Sequence, residues 1–350
     1  MKLSTLEIKS MKVNKINSFK IEKGYTVALV KINDETKLAI GTEGHGAEYL
    51  LTIPGFEKEL LCDGPGGTMS ILNVPGRGND LVSIMGLFPP FIGFDAGVYY
   101  HSWNENGWSA HKIIDLPFSH RMEWMDADGV ATLFVACVSK HKDDPSDWSQ
   151  SGVLYSATMD GHDQKWKMTS VIDGLTRHHG MLKMNFNGIE SLLVTGDEGI
   201  YRVFWDANRT KWMAEQWIDT QVSEVAMIDL DGDGVDELIT IEPFHGTKLV
   251  IYKMIFGEWL KHYETDLIFG HGLNASFIHG EPIILVGNRA DTRELLAFKT
   301  INLEAGQMQR TVIETDAGPT QIITSIIDDQ SYIISSNQNK NEIALYQVNK

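Results

Sequence analysis

The chain has 350 residues, 43% apolar and 22% charged, with 32 Gly against 10 Pro, a globular composition that argues against a disordered or fibrous protein. Lys and Arg total 30 against 47 Asp and Glu, and a net charge of -17 repels phosphate, which argues against nucleic acid or an anionic membrane surface as partner. The longest apolar runs, such as 133–138 and 282–287, fall far short of the roughly 20 residues a bilayer requires. Residues 1–12 lack the continuous apolar stretch of a secretory signal, and Cys62 and Cys137 give no disulfide framework, so the expected compartment is the cytoplasm.

In chain order, residues 6–16 form a strand-like segment with no partner nearby in sequence. A repeat then begins. An aromatic residue is followed seven positions later by Asp at Phe56 and Asp63, Trp108 and Asp115, Trp166 and Asp173, Trp212 and Asp219, and Trp259 and Asp266, with a looser copy around 308–316. Upstream of each lies a run rich in β-branched and aromatic residues (47–52, 97–102, 153–158, 200–205, 249–254, 295–300), and a seventh, 343–348, ends the chain. Still further upstream come apolar runs such as 133–138, 191–195, 237–241 and 282–286. The pattern reads as four short strands joined by Gly, Asn and Asp turns, recurring about every 50 residues.

A four-stranded unit of this size cannot bury its own faces, and radial stacking solves that problem. The expected fold is therefore all-β, a seven-bladed β-propeller in one domain over residues 1–350. The blades fall near 19–63, 64–117, 118–175, 176–220, 221–267, 268–317, and 318–350 with 1–18. The last repeat stops after its third strand, and the N-terminal segment is expected to supply the fourth and close the ring.

The segment from Asp229 to Glu237, Asp-Leu-Asp-Gly-Asp-Gly-Val-Asp-Glu, places oxygen ligands at alternate positions around permissive glycines, as a hard cation requires. It is not an EF-hand, because the twelfth residue is Thr240 and the flanks read as strands. It resembles the calcium loops of FG-GAP and VCBS propeller repeats, which implies Asp229, Asp231, Asp233, the Val235 carbonyl and Glu237 as Ca²⁺ ligands. The alternative is an acidic turn without an ion.

In an antiparallel blade the loop entering the innermost strand and the loop between strands two and three lie at the same end. That rule gathers His120, His178, His179 and His271 (strand entries) with His45, His141 and His245 (second-to-third turns) on one rim, opposite the acidic loop. Neutral imidazoles converging near an axis suit Zn²⁺, with Mn²⁺ or Mg²⁺ as other candidates. Four of them, from different blades, are expected to share one ion. His101, His111, His162, His262 and His279 are assigned to solvated outer strands or to the other face, and the repeat tryptophans to packing.

Glu242-Pro-Phe-His-Gly-Thr247 with its following strand, Ser119-His-Arg121, Thr176-Arg-His178 with His179, and the blade opening at His271 resemble the propeller domain of aldos-2-ulose dehydratase, also called 1,5-anhydro-D-fructose dehydratase. The similarity covers a little over half the chain, and the cupin domains that follow in the fungal enzyme have no counterpart. The resemblance implies metal-dependent water elimination from a small keto sugar such as 1,5-anhydro-D-fructose or a 3-keto-glycoside, a carbon–oxygen lyase, with His120, His179, His245 and His271 as the matching, expected metal ligands. Glu242 and His178 are then candidates for the acid and base, and Arg177 and Arg289, with Asn288, for binding hydroxyls or an enolate oxygen. The competing reading is a non-catalytic propeller that binds a glycan or protein through the same rim and holds only structural calcium.

Overall fold

Each repeat contains one run that is apolar on successive residues rather than on alternate ones, and such a run is stable only when neighbours cover both of its faces. A computed structural model, describing residues 11–159 and 166–349, shows these runs as the second strands of seven stacked sheets. Val130–Cys137 is buried from Thr132 onward, and Ile189–Gly196 and Glu281–Asn288 follow the same pattern. Outer strands such as Trp166–Asp173 and Lys211–Ile218 are mostly exposed or half-buried, as expected at the circumference.

Among the described residues the strands form seven four-stranded antiparallel sheets, a seven-bladed β-propeller. The sheets span 24–62, 70–115, 119–173, 181–218, 224–266, 270–314, and 319–349 with 12–20, and are called blades 1 to 7. Apart from strands, the described residues contain one 3₁₀ turn, Gln338–Lys340. None of them forms a helix long and apolar enough to cross a membrane. Residues 6–10 of the expected closing strand, and His162, lie outside the described residues.

The repeat tryptophans pack between blades. Trp212 in blade 4 meets Phe134 of blade 3 edge-on at 4.7 Å between ring centroids, and Trp259 of blade 5 lies 5.2 Å from Trp217 of blade 4. Each such ring, once covered, contributes on the order of 1.5–3 kcal/mol by burial.

Closure depends on the N-terminal strand. Lys12–Lys20 pairs antiparallel with the C-terminal strand Glu342–Asn349, from Lys12 opposite Asn349 to Lys20 opposite Glu342. Lys15 Nζ then reaches Glu342 Oε1 of blade 7 at 2.5 Å and Glu314 Oε1 of blade 6 at 2.8 Å, where Tyr346 and Lys340 also converge on Glu314. Removal of the chain through Lys20 should therefore leave Glu342–Asn349 as an open edge. The expected result is a lowered melting temperature and concentration-dependent self-association, read by thermal unfolding and light scattering; an unchanged monomer with an unchanged melt would show that closure is not needed.

Candidate functional site

The innermost strands begin at one rim, and their opening residues share a position. Tyr25, His120, His271 and Thr320 are each the second residue of Gly24–Ile32, Ser119–Ala127, Gly270–Ile278 and Pro319–Ile327. His179 enters beside them just before Met181–Phe186, and His245 comes from the loop after Glu237–Glu242. Tyr25 and these four histidines, together with Glu43 and Arg289 from second-to-third turns, line a pocket of about 180 Å³. Met69 and the loop 87–91 of blade 2 form its apolar wall.

Three imidazoles converge at this pocket: His179, His245 and His271 each offer a ring nitrogen within 4.8 Å of the other two. Nδ1–H of His271 donates to the Thr320 carbonyl at 2.9 Å, which leaves its Nε2 for an ion. Nδ1 of His179 lies 2.5 Å from Glu224 Oε1 without the alignment of a hydrogen bond, and Arg121 Nη2 donates to the same oxygen at 3.4 Å. A carboxylate behind a ligating histidine is the usual supporting arrangement at a metal. His245 is stacked on Phe244 at 4.0 Å, and its backbone N–H donates to Ser223 Oγ at 3.2 Å.

His120 is the fourth expected ligand, and it stands apart from this set. Its ring centroid is 4.8 Å from that of His179, but its Nε2 is hydrogen-bonded to the Tyr25 hydroxyl at 3.3 Å, and its buried Nδ1 has no hydrogen-bond partner. The set is thus three histidines, the number that leaves a catalytic zinc an open position, rather than a closed four.

Burial fixes the protonation of these rings. Desolvation, with the charges of Arg121 or Arg289 adding to it, holds His120, His179 and His271 well below the usual imidazole range. Desolvation and the neighbouring His179, Arg289 and Arg177 bring His245 down to about 2. Neutral rings are the form a metal needs, so the residues fit a borderline divalent ion. Burial also pushes the Tyr25 hydroxyl up to about 12, so it keeps its proton.

Several expected residues are not at the pocket. The Glu242 carboxylate accepts hydrogen bonds from Thr240 Oγ1 (2.6 Å), on the same face of the strand, and from Tyr252 OH (2.8 Å) in its own blade, whereas His245 lies in the turn beyond the strand end. His178 is buried and its Nδ1–H donates to the Thr195 carbonyl at 2.8 Å, so only the second of the paired histidines faces the pocket. Arg177 is held by Asp197 at 2.6–2.9 Å and lies against Phe244, outside the lining. Asn288 Oδ1 accepts from the Ile268 backbone and is structural, whereas Arg289 does line the pocket. Tyr25, Glu43, Glu224 and Arg121 were not anticipated. Tyr25 had a signal, since Gly24-Tyr25 occupies in blade 1 the place of Gly270-His271 in blade 6.

On the opposite face, Asp229, Asp231 and Glu237 bring carboxylate oxygens within 4.8 Å of one another, while Val235 stands exposed. The donor set suits a hard cation, but Lys253 stands in it: its Nζ contacts Asp231 and lies 3.5 Å from Asp233, 3.7 Å from Glu237 and 3.1 Å from Glu304. A Ca²⁺ ion bound by Asp229, Asp231, Asp233, Val235 and Glu237 would therefore have to displace an ammonium group.

No family model matches the chain, and no curated protein matches it. Among solved structures, the β-propeller domain of Myceliophteria thermophila Cps50 (Swd1) superposes with a TM-score of 0.63 at 10% identity, covering 97% of this chain and 100% of that one. The apo form of the soluble aldose sugar dehydrogenase of Escherichia coli gives a TM-score of 0.48 at 14% identity, covering 97% and 99%, too loose a likeness to carry an argument. The first likeness shows the fold alone.

Two outcomes follow from this geometry. Replacing His271 or His245 by Ala should abolish binding of a transition metal, whereas His120→Ala should retain it, as read by elemental analysis after dialysis; equal loss in all three would place His120 among the ligands. Lys253→Met should raise Ca²⁺ affinity about tenfold or more, a change of at least about 1.4 kcal/mol measurable by calorimetry, and an unchanged affinity would show that the lysine does not compete.

Proposed function

We propose that the protein is a metal-dependent lyase that eliminates water or an alcohol from a small keto sugar such as 1,5-anhydro-D-fructose or a 3-keto-glycoside. The observation that carries this reading is the set of three neutral imidazoles from blades 4, 5 and 6, facing a pocket that also holds a guanidinium, a carboxylate and a buried phenol. At about 180 Å³ the pocket is smaller than the roughly 300–1,000 Å³ of drug-sized clefts, which favours a monosaccharide over a polymer.

His179, His245 and His271 would hold a Zn²⁺ or similar ion, with Mn²⁺ and Mg²⁺ as the other candidates. When bound, the ion would polarise a ketone and acidify the adjacent C–H bond. Glu43 is the carboxylate on the pocket wall and takes the role first sought in Glu242: it accepts the proton from the carbon next to the carbonyl. Arg289, 3.8 Å from Glu43, offers the charge that meets the developing enolate oxygen. The electron pair released from that C–H bond then forms the C=C bond as the C–O bond one carbon further on breaks. Tyr25, protonated and bonded to His120, supplies the proton to the departing oxygen, and proton return from Glu43 through solvent restores both groups. The products are an enone and water, or an enone and an alcohol. The apolar wall of 87–91 keeps bulk water from competing for the same groups.

The test is ultraviolet absorption of the enone from 1,5-anhydro-fructose and from 3-keto-glucosides, with zinc-loaded protein. Glu43→Gln should lower kcat by about 10²–10⁴-fold and Arg289→Met by about 10²–10³-fold, both with metal content unchanged. Failure of the loaded protein to turn over either substrate rejects the lyase reading, and glycan binding without turnover would favour the binding-module alternative.

A further inference from the structure

A second set of metal-ligating side chains lies in the seam between blades 1 and 2, built from residues the funnel does not use. Glu48 opens the strand Glu48–Thr52 and Cys62 closes Lys58–Cys62; the two stand directly opposite each other in register, so their side chains share one face of blade 1. That face meets Ser83 and His101, from Leu81–Met85 and Gly97–Asn104 of blade 2. One ligand atom each from Glu48, Cys62 and His101 lies within 4.8 Å of the others.

His101 was expected on a solvated outer strand and is instead fully buried, as is Glu48. The Glu48 carboxylate accepts from Thr68 Oγ1 at 3.0 Å and from Ser83 Oγ at 3.4 Å, and lies 3.3 Å from His101 Nε2. Among the described residues no Lys or Arg pairs with it. His101 Nε2 is also 2.8 Å from Ser83 Oγ, so carboxyl, hydroxyl and imidazole form one enclosed cluster. Nδ1 of His101 is likewise buried and has no hydrogen-bond partner. A carboxyl group enclosed beside an imidazole and a thiol, with no Lys or Arg partner, gathers metal-ligating atoms where burial of unpaired charge is costly.

We propose that Glu48, Cys62 and His101 bind a Zn²⁺ ion that ties blade 1 to blade 2. Thiolate, imidazole and carboxylate together select zinc over the hard cations that suit an all-oxygen loop. Tetrahedral zinc with bonds of about 2.0–2.3 Å sets its ligand atoms roughly 3.5 Å apart, so these three need to close up by only about an ångström. Binding releases the proton of the Cys62 thiol, which otherwise donates to the Gly64 carbonyl at 2.9 Å. Cys62 is half-buried and also lines a surface groove with Tyr99, Trp103 and Trp108, which gives the ion an entry path.

Cobalt reports this site separately from the funnel, because only a cysteine ligand produces a thiolate-to-metal charge-transfer band. Titrating chelator-treated full-length protein with Co²⁺ should develop that near-ultraviolet band at one equivalent. Cys62→Ser should abolish it and Cys137→Ser should keep it. Glu48→Gln and His101→Gln should each weaken zinc binding by about tenfold or more, at least the loss that removing a mere supporting partner causes. The band should also survive in a His179→Ala, His245→Ala double variant, so failure of the funnel proposal leaves this one standing, and the reverse. Absence of the band at saturating Co²⁺, or its survival in Cys62→Ser, would mean that the cluster is a polar pin only and would overturn the proposal. Should Cys62→Ser not fold, X-ray absorption on the zinc-loaded native chain decides, with one sulfur at about 2.3 Å expected and an all-nitrogen-and-oxygen shell refuting it.

Discussion

A sheet that is apolar on both faces has to be covered twice, and in this chain every cover is another copy of the same sheet. The second strands are buried on both sides only because the ring closes, and closure is made by Lys12–Lys20 lying along Glu342–Asn349. Everything at the funnel inherits its position from that arrangement. Innermost strands that all start at the same end bring Tyr25, His120 and His271, with His179 just ahead of its strand, to one pocket, although they are distant in sequence. The chain thereby assembles a polar constellation from strand ends and the short turns between strands two and three, where His245, Glu43 and Arg289 sit.

The same burial that stabilises the blades decides the charge state of the funnel. Desolvation is the first cause of the depressed imidazoles, and the nearby guanidinium groups of Arg121 and Arg289 act in the same direction. Glu224 is pushed up to about 7 by burial in spite of Arg121 beside it. The chain's net charge of -17 is therefore no guide to the site, where neutral rings and compensated charges dominate. Net charge is a property of the outer strands and loops, and it bears on partners and solubility rather than on the chemistry of an enclosed pocket.

The architecture was legible because a propeller writes its period into the sequence: an aromatic residue at the outer-strand start and Asp near its end recur in most blades. The rim followed from strand order alone. The orientation of single side chains did not. Glu242 and His245 are only three residues apart, yet one faces Thr240 and Tyr252 and the other the pocket, since a turn intervenes and the alternation of the strand no longer applies. The neighbours His178 and His179 divide in the same way. Glu224 and Arg121 approach His179 from other blades, across more than forty residues of sequence, and no local spacing encodes such a contact. His101 was misplaced for a related reason. It lies on the third strand of blade 2 rather than the outermost, and its side chain meets blade 1 at Glu48, so a polar residue there is enclosed and not solvated.

The two faces of the ring also treat cation demand differently. In the loop from Asp229 to Glu237 the acidic charge is met by Lys253, a side chain long enough to reach in from the third strand of the same blade. In the seam at Glu48 no such side chain is within reach among the described residues, and the groups around the carboxylate are a thiol, an imidazole and hydroxyls. An exposed acidic loop with its own ammonium group can remain folded without an ion, because water and lysine share the neutralisation. A carboxylate with no exposed surface has neither, so it must either keep its proton or acquire a metal. Burial raises the Glu48 carboxyl to about 7, so it gives up its proton less readily than an exposed carboxyl does. The neighbouring sulfur and nitrogen ligands are what make a metal, rather than a proton alone, the chemically suited partner.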